Sequence, residues 1–591
     1  MYAVESVVLR VSIVLCMVAA VVTVLYFTPL PDNFTESCDR PCKDFDWPMI
    51  CRYKFAIEKT GSKCEKCSNS SECDRSCSKT IYTINQQLPG PAIHVCQNDI
   101  VLIDVTNRIP GRSLSLHFRG QSQEESPFMD GVPMITQCPI TSYTTFQYKF
   151  RASTSGTHFY SAHSGALAAN GIYGALIVRQ PARLEPNKRY YDFDEKVHSI
   201  MISEWLPGFV SDLDYQIEQP TDILVNGKLK SDPPIFTVSY GNRYRFRLSY
   251  SATIAGCPIT FSINNHPIKV ISVDGNPTNP YEVRSVTLNK GERIDFILKA
   301  KQQFGDYFIK FNSTCFPKIS GEGIIRYSER NKSVIEEIET ETTVREFNTG
   351  VCDSKLGRVC IGDIHAVKKI PRVLKDKLVD KKLFFDFSSI LIQNEEQDDA
   401  NRKIHTVNNI TFIYPSSPLL TQIYDVPAST LCNTLFLPEK CKHSHLCECT
   451  YIENIPLDST VELIISNQNA DASEYIFHLH GYHFYIIGSR QFQNPVPLDL
   501  LKTMDENEDL FSRNLINPPL KDTIRVPKFG IVAVRFIANN PGFWMLRDER
   551  TKIWSQGLDV VLKVGELRNF ISPPSSFPNC GSWIGPEFFF E

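Results

Sequence analysis

Short runs of alternating apolar and polar residues, separated by Pro, Gly and Asn, restrict the folds that this chain can adopt. Examples are IVLIDVTNRIPG from Ile100, YKFRASTSGTHFY from Tyr148 and IDFILKA from Ile294. Successive side chains of a strand point to opposite faces, so a period of two predicts half-buried strands. Long windows of helical periodicity are absent, and 591 residues with 42% hydrophobic content suffice for several cored domains. The sequence therefore predicts an all-β protein with several β-sandwich domains.

An apolar run near the N-terminus, VSIVLCMVAAVVTVLYF, extends from Val11 to Phe27 behind Arg10. It is long for the core of a signal peptide and slightly short for a membrane-spanning helix. Small residues at Val18 and Ala20 would permit cleavage. We predict that residues 1–30 are either a signal peptide or an uncleaved signal anchor, and such an anchor would be the predicted contact with a membrane.

Cysteine usage also predicts secretion. The chain has 19 cysteines, and setting aside Cys16 in the apolar run leaves 18, the even number that a disulfide framework requires. Seven of them lie between Cys38 and Cys77, so residues 31–80 are predicted to be a cysteine-rich disulfide segment. The CEKC motif in this segment would also suit zinc, but an oxidising compartment favours disulfides.

Five N-x-S/T sequons follow the apolar run and are predicted glycosylation sites: Asn33, Asn69, Asn312, Asn331 and Asn409. Together with the cysteines they place the body of the protein in the secretory pathway and outside the cell. The net charge of −4 and the lack of a basic tract interleaved with aromatics argue against nucleic acid as a partner. The expected partner is an extracellular protein or small molecule.

The stretch FHLHGYHFYIIG, which begins at Phe477, contains three closely spaced histidines. Residues i and i+2 of a strand point to the same face, so His478 and His480 share a face and His483 points away. Two imidazoles on one face can form half of a metal site.

Other residues near such motifs are interpreted as surface or disulfide-loop positions, namely Tyr482, His483, His443 and His445. The last two belong to KHSHLCEC and are a weak metal candidate. The cysteines of CEC are expected to pair with other cysteines.

Four motifs follow one another along the chain: LSLHFRGQ with FMDGVPMITQCPI, then GTHFYSAHSG, FHLHG and NPGFWMLRDERTKIWSQGLDVVL. In this order they closely resemble the first to fourth copper-binding motifs of insect-type laccases, which are multicopper oxidases built from three cupredoxin sandwiches. The flanking phrases GALIVRQ and KDTIRVP and the N-terminal cysteine segment are also similar. The resemblance covers nearly the whole chain after the signal. It is closest to multicopper oxidase-related proteins that have lost copper ligands.

This resemblance implies an all-β fold of three cupredoxin-like domains behind the cysteine-rich segment. We expect these domains at residues 81–182, 183–330 and 383–565. Between the second and third lies a stretch with many Glu and Lys and few aromatics, which we interpret as a charged linker at 331–382. A tail with many Pro and Ser completes the chain at 566–591.

The family binds copper through ten histidines and one cysteine in these motifs. A mononuclear copper takes electrons from substrate, and a trinuclear cluster reduces dioxygen to water. Carried onto this sequence, the resemblance implies four retained cluster positions: His117, His163, His478 and His480. The other ligand positions carry different residues: Arg119, Ser161, Tyr475, Arg547, Asp548, Glu549 and Ile553.

These replacements predict the loss of both copper centres. Tyr475, Asp548 and Ile553 stand at the mononuclear positions, where no thiolate remains. Arginine cannot ligate copper, and Arg119 and Arg547 would repel cations. Unit charges about 4 Å apart interact by roughly 4 kcal/mol at an effective dielectric near 20. We therefore expect no catalytic residue and no cofactor, with one copper or zinc ion on His117 and His478 as the alternative.

The same argument predicts how the replaced residues interact. An isolated buried arginine is unfavourable, so Glu549 should lie within salt-bridge reach of Arg119 or Arg547 inside a largely buried pocket. Asp548 should point the other way along the strand, toward Tyr475.

The predicted function is that of an extracellular laccase-fold protein without oxidase activity, which acts in binding or scaffolding. Two alternatives remain: a copper-dependent oxidoreductase with a remodelled site, and a single-metal binding protein without turnover. Nucleophilic catalysis has no support because no Gly-x-Ser-x-Gly elbow is present.

Overall fold

Two units, Met1–Pro41 and Cys42–Glu591, make up the chain in its computed structural model. The residues that the structure describes are 2–27, 37–61, 80–210, 219–252, 256–315, 318–328, 346–352, 357–392, 402–442, 446–469, 474–550 and 557–581. Ile553 and the predicted glycosylation sites Asn33, Asn69 and Asn331 lie outside these ranges, as do His443 and His445.

In the first unit, helix α1 spans Tyr2–Phe27 and contains the predicted apolar run. Its described side chains, at positions 11–23, are exposed, and the thiol of Cys16 is free. Counting only the side chains that are described, no helix combines the length and the apolar character that crossing a membrane requires.

The first β body of the second unit contains two four-stranded sheets, with strand orders β2-β1-β4-β6 and β3-β8-β7-β5. Strand β6 shows why these segments form strands, because its residues alternate between exposed and buried up to the half-buried Arg151 at its end. Strand β1 lies within the predicted cysteine-rich segment and pairs in parallel with β4. The elements are β1 (Ile50–Gly61), β2 (Thr80–Ile84), β3 (Ile93–Cys96), β4 (Ile100–Asn107), β5 (Leu116–Arg119), β6 (Thr145–Arg151), β7 (Gly156–Ala162), α2 (Gly165–Ala169) and β8 (Tyr173–Arg179).

The second β body pairs a six-stranded sheet with a seven-stranded sheet, in the orders β10-β9-β12-β17-β14-β15 and β11-β19-β18-β13-β16-β20-β21. Phe246 and Phe296 stack in its core with ring centroids 5.4 Å apart. The strands are β9 (Ser199–Trp205), β10 (Asp222–Val225), β11 (Ile235–Val238), β12 (Arg243–Ala252), β13 (Ile259–Ile263), β14 (Ile268–Val273), β15 (Asn276–Val283), β16 (Ser285–Leu288), β17 (Arg293–Lys299), β18 (Asp306–Ser313), β19 (Ser320–Tyr327), β20 (Glu346–Asn348) and β21 (Arg358–Cys360).

The third β body is one continuous path of strands, β30-β29-β32-β27-β22-β23-β24-β26-β34-β33-β28-β31, with β25 paired to β26. Its elements are β22 (Lys381–Ile392), β23 (Arg402–Val407), β24 (Ile410–Phe412), α3 (Leu419–Gln422), β25 (Leu431–Cys432), α4 (Glu439–Lys442), β26 (Cys447–Ile455), β27 (Thr460–Asn467), β28 (Glu474–Leu479), β29 (Phe484–Gln491), α5 (Leu498–Glu506), β30 (Leu520–Lys521), β31 (Thr523–Pro527), β32 (Gly530–Ile537), β33 (Gly542–Asp548) and β34 (Val560–Val564). The all-β prediction with three sandwich-like bodies is confirmed.

Disulfides cross-link the second unit, as the cysteine count predicts. The described bridges are Cys42–Cys96, Cys138–Cys580, Cys257–Cys315, Cys352–Cys360, Cys432–Cys449 and Cys441–Cys447. The two cysteines of CEC thus pair with other cysteines, which confirms that prediction.

A buried arginine joins all three bodies. Arg293 of the second body donates to both carboxylate oxygens of Asp522 in the third, at 2.7 and 2.5 Å. Its Nε donates to the carbonyl oxygen of Thr157 in the first body at 3.3 Å. Both Arg293 and Asp522 are buried, so the three bodies meet around one desolvated ion pair.

The interpretation of Tyr482 and His483 as surface residues is wrong. Tyr482 is buried, and its hydroxyl donates to the carbonyl oxygen of Asn540 at 2.7 Å. His483 is largely buried, with Nε2 3.7 Å from a carboxylate oxygen of Asp522. The cause is the turn at Gly481, which has a φ of 72° and packs so closely on Trp544 that a Cβ would meet its ring.

Candidate functional site

Two pairs of neighbouring strands position the candidate site. In the first body, β5 and β7 pair antiparallel with His117 opposite Ser161. In the third body, β28 and β33 pair with His478 opposite Arg547. The two strand pairs meet across the interface, where the Nε2 atoms of His117 and His478 lie 3.2 Å apart.

Three buried histidines form a triad at this interface: His117, His478 and His480. Their ligand atoms lie within 4.8 Å of one another. The Nδ1 atom of His117 lies 2.8 Å from the carbonyl oxygen of Asp130, and that of His478 lies 2.9 Å from the carbonyl oxygen of Asp522. A carbonyl only accepts, so each Nδ1 carries the proton and each Nε2 presents a lone pair. His480 donates from Nδ1 to the Asp130 carboxylate at 2.8 Å.

The environment of the triad disfavours protonation of His478 and His480. Burial lowers the pKa of His478 to about 3, and the charge of Arg119 acts in the same direction. Burial and the neighbouring His117 lower the pKa of His480 to about 4, against the opposing effect of Asp130. Neutral imidazoles fixed by second partners are the usual form of histidine metal ligands.

An ion pair between Arg119 and Glu549 occupies the same region, as the sequence predicts. Arg119 also donates to the Thr523 hydroxyl at 2.9 Å, and its guanidinium lies over the Phe159 ring at 5.2 Å. Burial alone would raise the pKa of Glu549, but the charges of Arg119 and Lys290 hold it well below its usual value. The carboxylate is therefore ionised in the folded protein.

Lys290 brings a third cation to the site, from the second body. Its ammonium group donates to the backbone carbonyl oxygen of Glu549. Burial lowers the pKa of Lys290 to about 8, opposed by Glu549 and reinforced by Arg547 and Arg119.

Arg547 contacts the fourth retained histidine, His163, whose ring centroid lies 6.0 Å from that of His480. Its Nη1 atom lies 2.8 Å from each ring nitrogen of His163 and donates to the His163 carbonyl oxygen at 2.6 Å. Burial and the Arg547 charge hold the pKa of His163 well below its usual value. A guanidinium in contact with both nitrogens competes with a metal ion for this imidazole and cannot itself be a ligand.

The cavity between these side chains is small. Its volume is about 30 Å³, and its lining includes Ser161, Ala168 and Ser251 besides the histidines and the charged residues. Such a space holds about one or two water molecules. Three converging imidazole nitrogens could hold one metal ion, whereas the three nearby cations disfavour a cluster of three. The triad could thus hold a metal ion, which weighs against the expectation that no cofactor is bound.

Asp548 points away from this cavity, as its place on β33 predicts. Its carboxylate accepts from the backbone N–H of Ile476 at 3.2 Å and from Arg550 at 3.3 Å. The Arg550 guanidinium lies over the Tyr475 ring at 4.5 Å from the centroid. Burial raises the pKa of Tyr475 to about 12, so the phenol is neutral, and its hydroxyl accepts from Asn469 at 2.9 Å.

Sequence reasoning missed four residues of the site: Asp130, Lys290, Asp522 and Arg550. Asp130 and Asp522 belong to the phrases DGVP and KDTIRVP, which were noted only for their similarity to the family. Lys290 comes from the body in which no family motif lies, so no pattern in the sequence identified it.

Family models described as multicopper oxidase match residues 68–183, 197–330 and 413–567. Among curated relatives, Laccase-13 of Arabidopsis thaliana is 26% identical, over 84% of this chain and 92% of the relative. L-ascorbate oxidase of Cucumis sativus is 25% identical, over 85% of this chain and 88% of the relative.

Solved structures share the fold. Fet3p, described as a multicopper oxidase that functions in iron import, superposes with a TM-score of 0.66 at 21% identity, covering 87% of this chain and 90% of that one. The laccase from Botrytis aclada gives a TM-score of 0.66 at 23% identity, covering 89% of each chain. These matches agree with three cupredoxin-like domains.

Proposed function

The chain belongs to the multicopper oxidase family, and we propose that it is a member without oxidase activity that acts as an extracellular binding or scaffolding protein. The observation that carries this proposal is the charged constellation of Arg119, Glu549, Arg547 and Lys290 around the histidines. Three of these residues, Arg119, Arg547 and Glu549, stand where the resemblance to insect-type laccases expects a copper-binding histidine.

The mononuclear position supports the same conclusion. Asp548 stands where the resemblance expects the cysteine ligand, and Asp548 and Tyr475 are engaged by Arg550 and Asn469. In the family a thiolate at this position holds the copper that accepts electrons from substrate. Without it, oxidation of a phenol has no first electron acceptor in this chain.

The charges weigh against a copper cluster as well. Three buried cations face two carboxylates, Glu549 and Asp130, and burial disfavours a further positive charge on His478 and His480. Adding several divalent ions to a site with this balance costs free energy, since unit charges about 4 Å apart interact by roughly 4 kcal/mol at an effective dielectric of 20. The Arg119–Glu549 pair links the first and third bodies where metal would otherwise do so.

An extracellular location is supported by the described disulfides, which persist in oxidising compartments. Two predicted glycosylation sites, Asn312 and Asn409, are exposed, as a glycan requires. The partner would be an extracellular protein or a small molecule. Cleavage or retention of the N-terminal segment would decide between release and anchoring.

A second candidate, a single-metal binding protein without turnover, is favoured by one observation. The Nε2 atoms of His117 and His478 both carry lone pairs and lie 3.2 Å apart, which is unfavourable unless a proton or a cation lies between them. His117, His478 and His480 would hold a copper or zinc ion, which would act there as a cross-link between two bodies.

Copper reconstitution and elemental analysis of the purified protein test both candidates. The leading proposal expects no oxidation of catechols above a metal-only blank and no intense copper–thiolate absorption. Bound metal near one equivalent, lost in a His478→Ala variant, would support the second candidate. Turnover, or visible absorption that scales with protein concentration, would contradict the first candidate. Either result would favour the alternative of a copper-dependent oxidoreductase with a remodelled site.

A further inference from the structure

A second cavity lies in the third body and is almost wholly apolar. Its volume is about 300 Å³, at the lower end of the range for small-molecule sites. It shares no lining residue with the histidine cavity. Phe543, on its floor, precedes Arg547 by four residues on β33, so the two cavities are about 13 Å apart along that strand.

Three adjacent strands form the floor of this cavity, which we call the apolar cavity. The register of β26, β34 and β33 places Asn454, Lys563 and Phe543 side by side on one face, with Ile452 next to them. Side chains stand roughly perpendicular to a sheet, so these residues point into the cavity. The floor is thus rigid and set by backbone pairing.

The opposite wall is the segment that follows helix α3. Ile423, Leu431 and Phe436 of this segment line the apolar cavity. The segment is tied to the floor twice, by the disulfide between Cys432 and Cys449 and by the pairing of β25 with β26. These two links fix the position of the wall relative to the sheet, so the wall cannot move away from the floor without breaking one of them.

The rim of the apolar cavity exposes three consecutive apolar residues. Leu435 is 93% exposed, Phe436 64% and Leu437 40%. Runs of exposed apolar residues are unfavourable in water and commonly mark binding sites. An apolar ligand that enters the cavity would cover the exposed part of Phe436.

One cation lines the apolar cavity. The side chain of Lys563 is 22% exposed, and its ammonium lies 3.7 Å from the carboxylate of Glu566, which is 72% exposed. Such an exposed pair is weak, so a ligand carboxylate can compete for the ammonium. Asn433 and Asn454 add polar groups to the lining.

We propose that the apolar cavity binds a medium-chain alkyl carboxylate, with the alkyl chain between floor and wall and the carboxylate at Lys563. The apolar lining accounts for the chain, and the single cation accounts for the charge. This site is independent of the proposed function and requires no metal.

Calorimetric titration of the full chain, with its disulfides intact, tests the proposal. The probes are hexanoate, octanoate and decanoate, with 1-octanol as the uncharged comparison. Burial of each methylene should tighten Kd about fourfold. Lys563→Met should weaken octanoate binding about tenfold or more and leave 1-octanol unchanged, while Lys310→Met, at an exposed position on β18, should change neither.

Asn454→Trp checks the location, because an indole on the floor would fill the apolar cavity. This variant should lose binding of all three carboxylates while keeping the melting temperature of the unmodified protein. Absence of saturable binding, or a Kd independent of chain length, would overturn the proposal. So would equal binding by the Asn454→Trp variant, or binding to phospholipid vesicles without binding of free carboxylates.

Discussion

At the residue scale, the contacts of the three cations determine how the side chains of the site are arranged. Arg119 pairs with Glu549, whose backbone carbonyl accepts from Lys290, while Arg547 lies against His163. Each cation has a partner of its own, so the cavity tolerates three of them. Of these contacts, the Arg119–Glu549 pair should be the most costly to break, because both groups are charged and mostly buried.

Replacing Glu549 with Gln should destabilise the protein strongly. Arg119 would remain buried with its charge uncompensated, which typically costs about 3–5 kcal/mol. The free energy of unfolding in urea measures the effect. Glu125→Gln is the matched control, because Glu125 pairs with Arg151 at an exposed site and its removal should cost about 0.5 kcal/mol or less. Equal effects of the two variants would refute the buried-pair argument.

Acid should weaken the protein partly through His483. Burial lowers its pKa to about 4, opposed by Asp522 and reinforced by Arg293 and Lys368, while an unfolded histidine has a pKa near 6.5. Below pH 6.5 the unfolded chain therefore takes up the proton first. The stabilising contribution is complete above pH 6.5 and is lost as the pH falls to about 4, by about 3 kcal/mol.

His483→Gln isolates this contribution. Unfolding free energies measured from pH 7 to pH 4 should decline less steeply in the variant than in the unmodified protein. His158, whose pKa burial lowers to about 3, should keep part of the slope in both proteins. Parallel curves would show that His483 does not titrate in this way.

At the scale of elements, strand β33 separates two chemistries by its alternation. Arg547 faces the histidine cavity, whereas Asp548 faces Tyr475 on the other side of the strand. Helix or loop residues at this spacing would not separate so cleanly, since only a strand alternates with a period of two. The register of β28 with β33 places Arg547 directly opposite His478 and Asp548 directly opposite Phe477.

Restoring histidines at Arg547 of β33 and at Glu549, directly after this strand, should not restore oxidase activity. The double variant Arg547→His with Glu549→His adds two imidazoles to the cavity, but Asp548 on the other face still supplies no thiolate. We expect no catechol oxidation and no strong visible absorption after copper addition, measured against a metal-only blank. The variant should also unfold more easily, because Arg119 loses its carboxylate. Turnover by this variant would show that the mononuclear position is dispensable.

At the scale of the whole molecule, stability comes from domain packing and disulfides. Arg293 and Asp522 connect the bodies through a buried ion pair, and Cys138–Cys580 ties the first body to the C-terminal region across 442 residues. Neither link needs a metal ion.

Strong chelators should therefore leave the melting temperature almost unchanged, whereas reductants should lower it. Loss of a native disulfide commonly costs about 2–5 kcal/mol. Scanning calorimetry with each reagent alone and with both together separates the effects. A large decrease with chelator alone would instead favour the single-metal candidate at His117, His478 and His480.

The sequence by itself determined the strand pattern, the order of the four motifs and the chemical identity of every replaced ligand position. These are local properties, since alternation and motif spacing act within a few residues. It also determined that Glu549 needed an arginine partner, because a buried unpaired charge is unfavourable in any fold.

Only the tertiary structure decided which arginine Glu549 meets, that Arg547 instead engages His163, and that Lys290 arrives from the second body. These contacts join positions about 260 to 430 residues apart, whose distances depend on how whole sheets pack. The proton positions on His117 and His478 likewise follow from carbonyl groups that domain packing brings to each ring. Side-chain periodicity carries no information about such packing, because it specifies which face is buried but not what covers it.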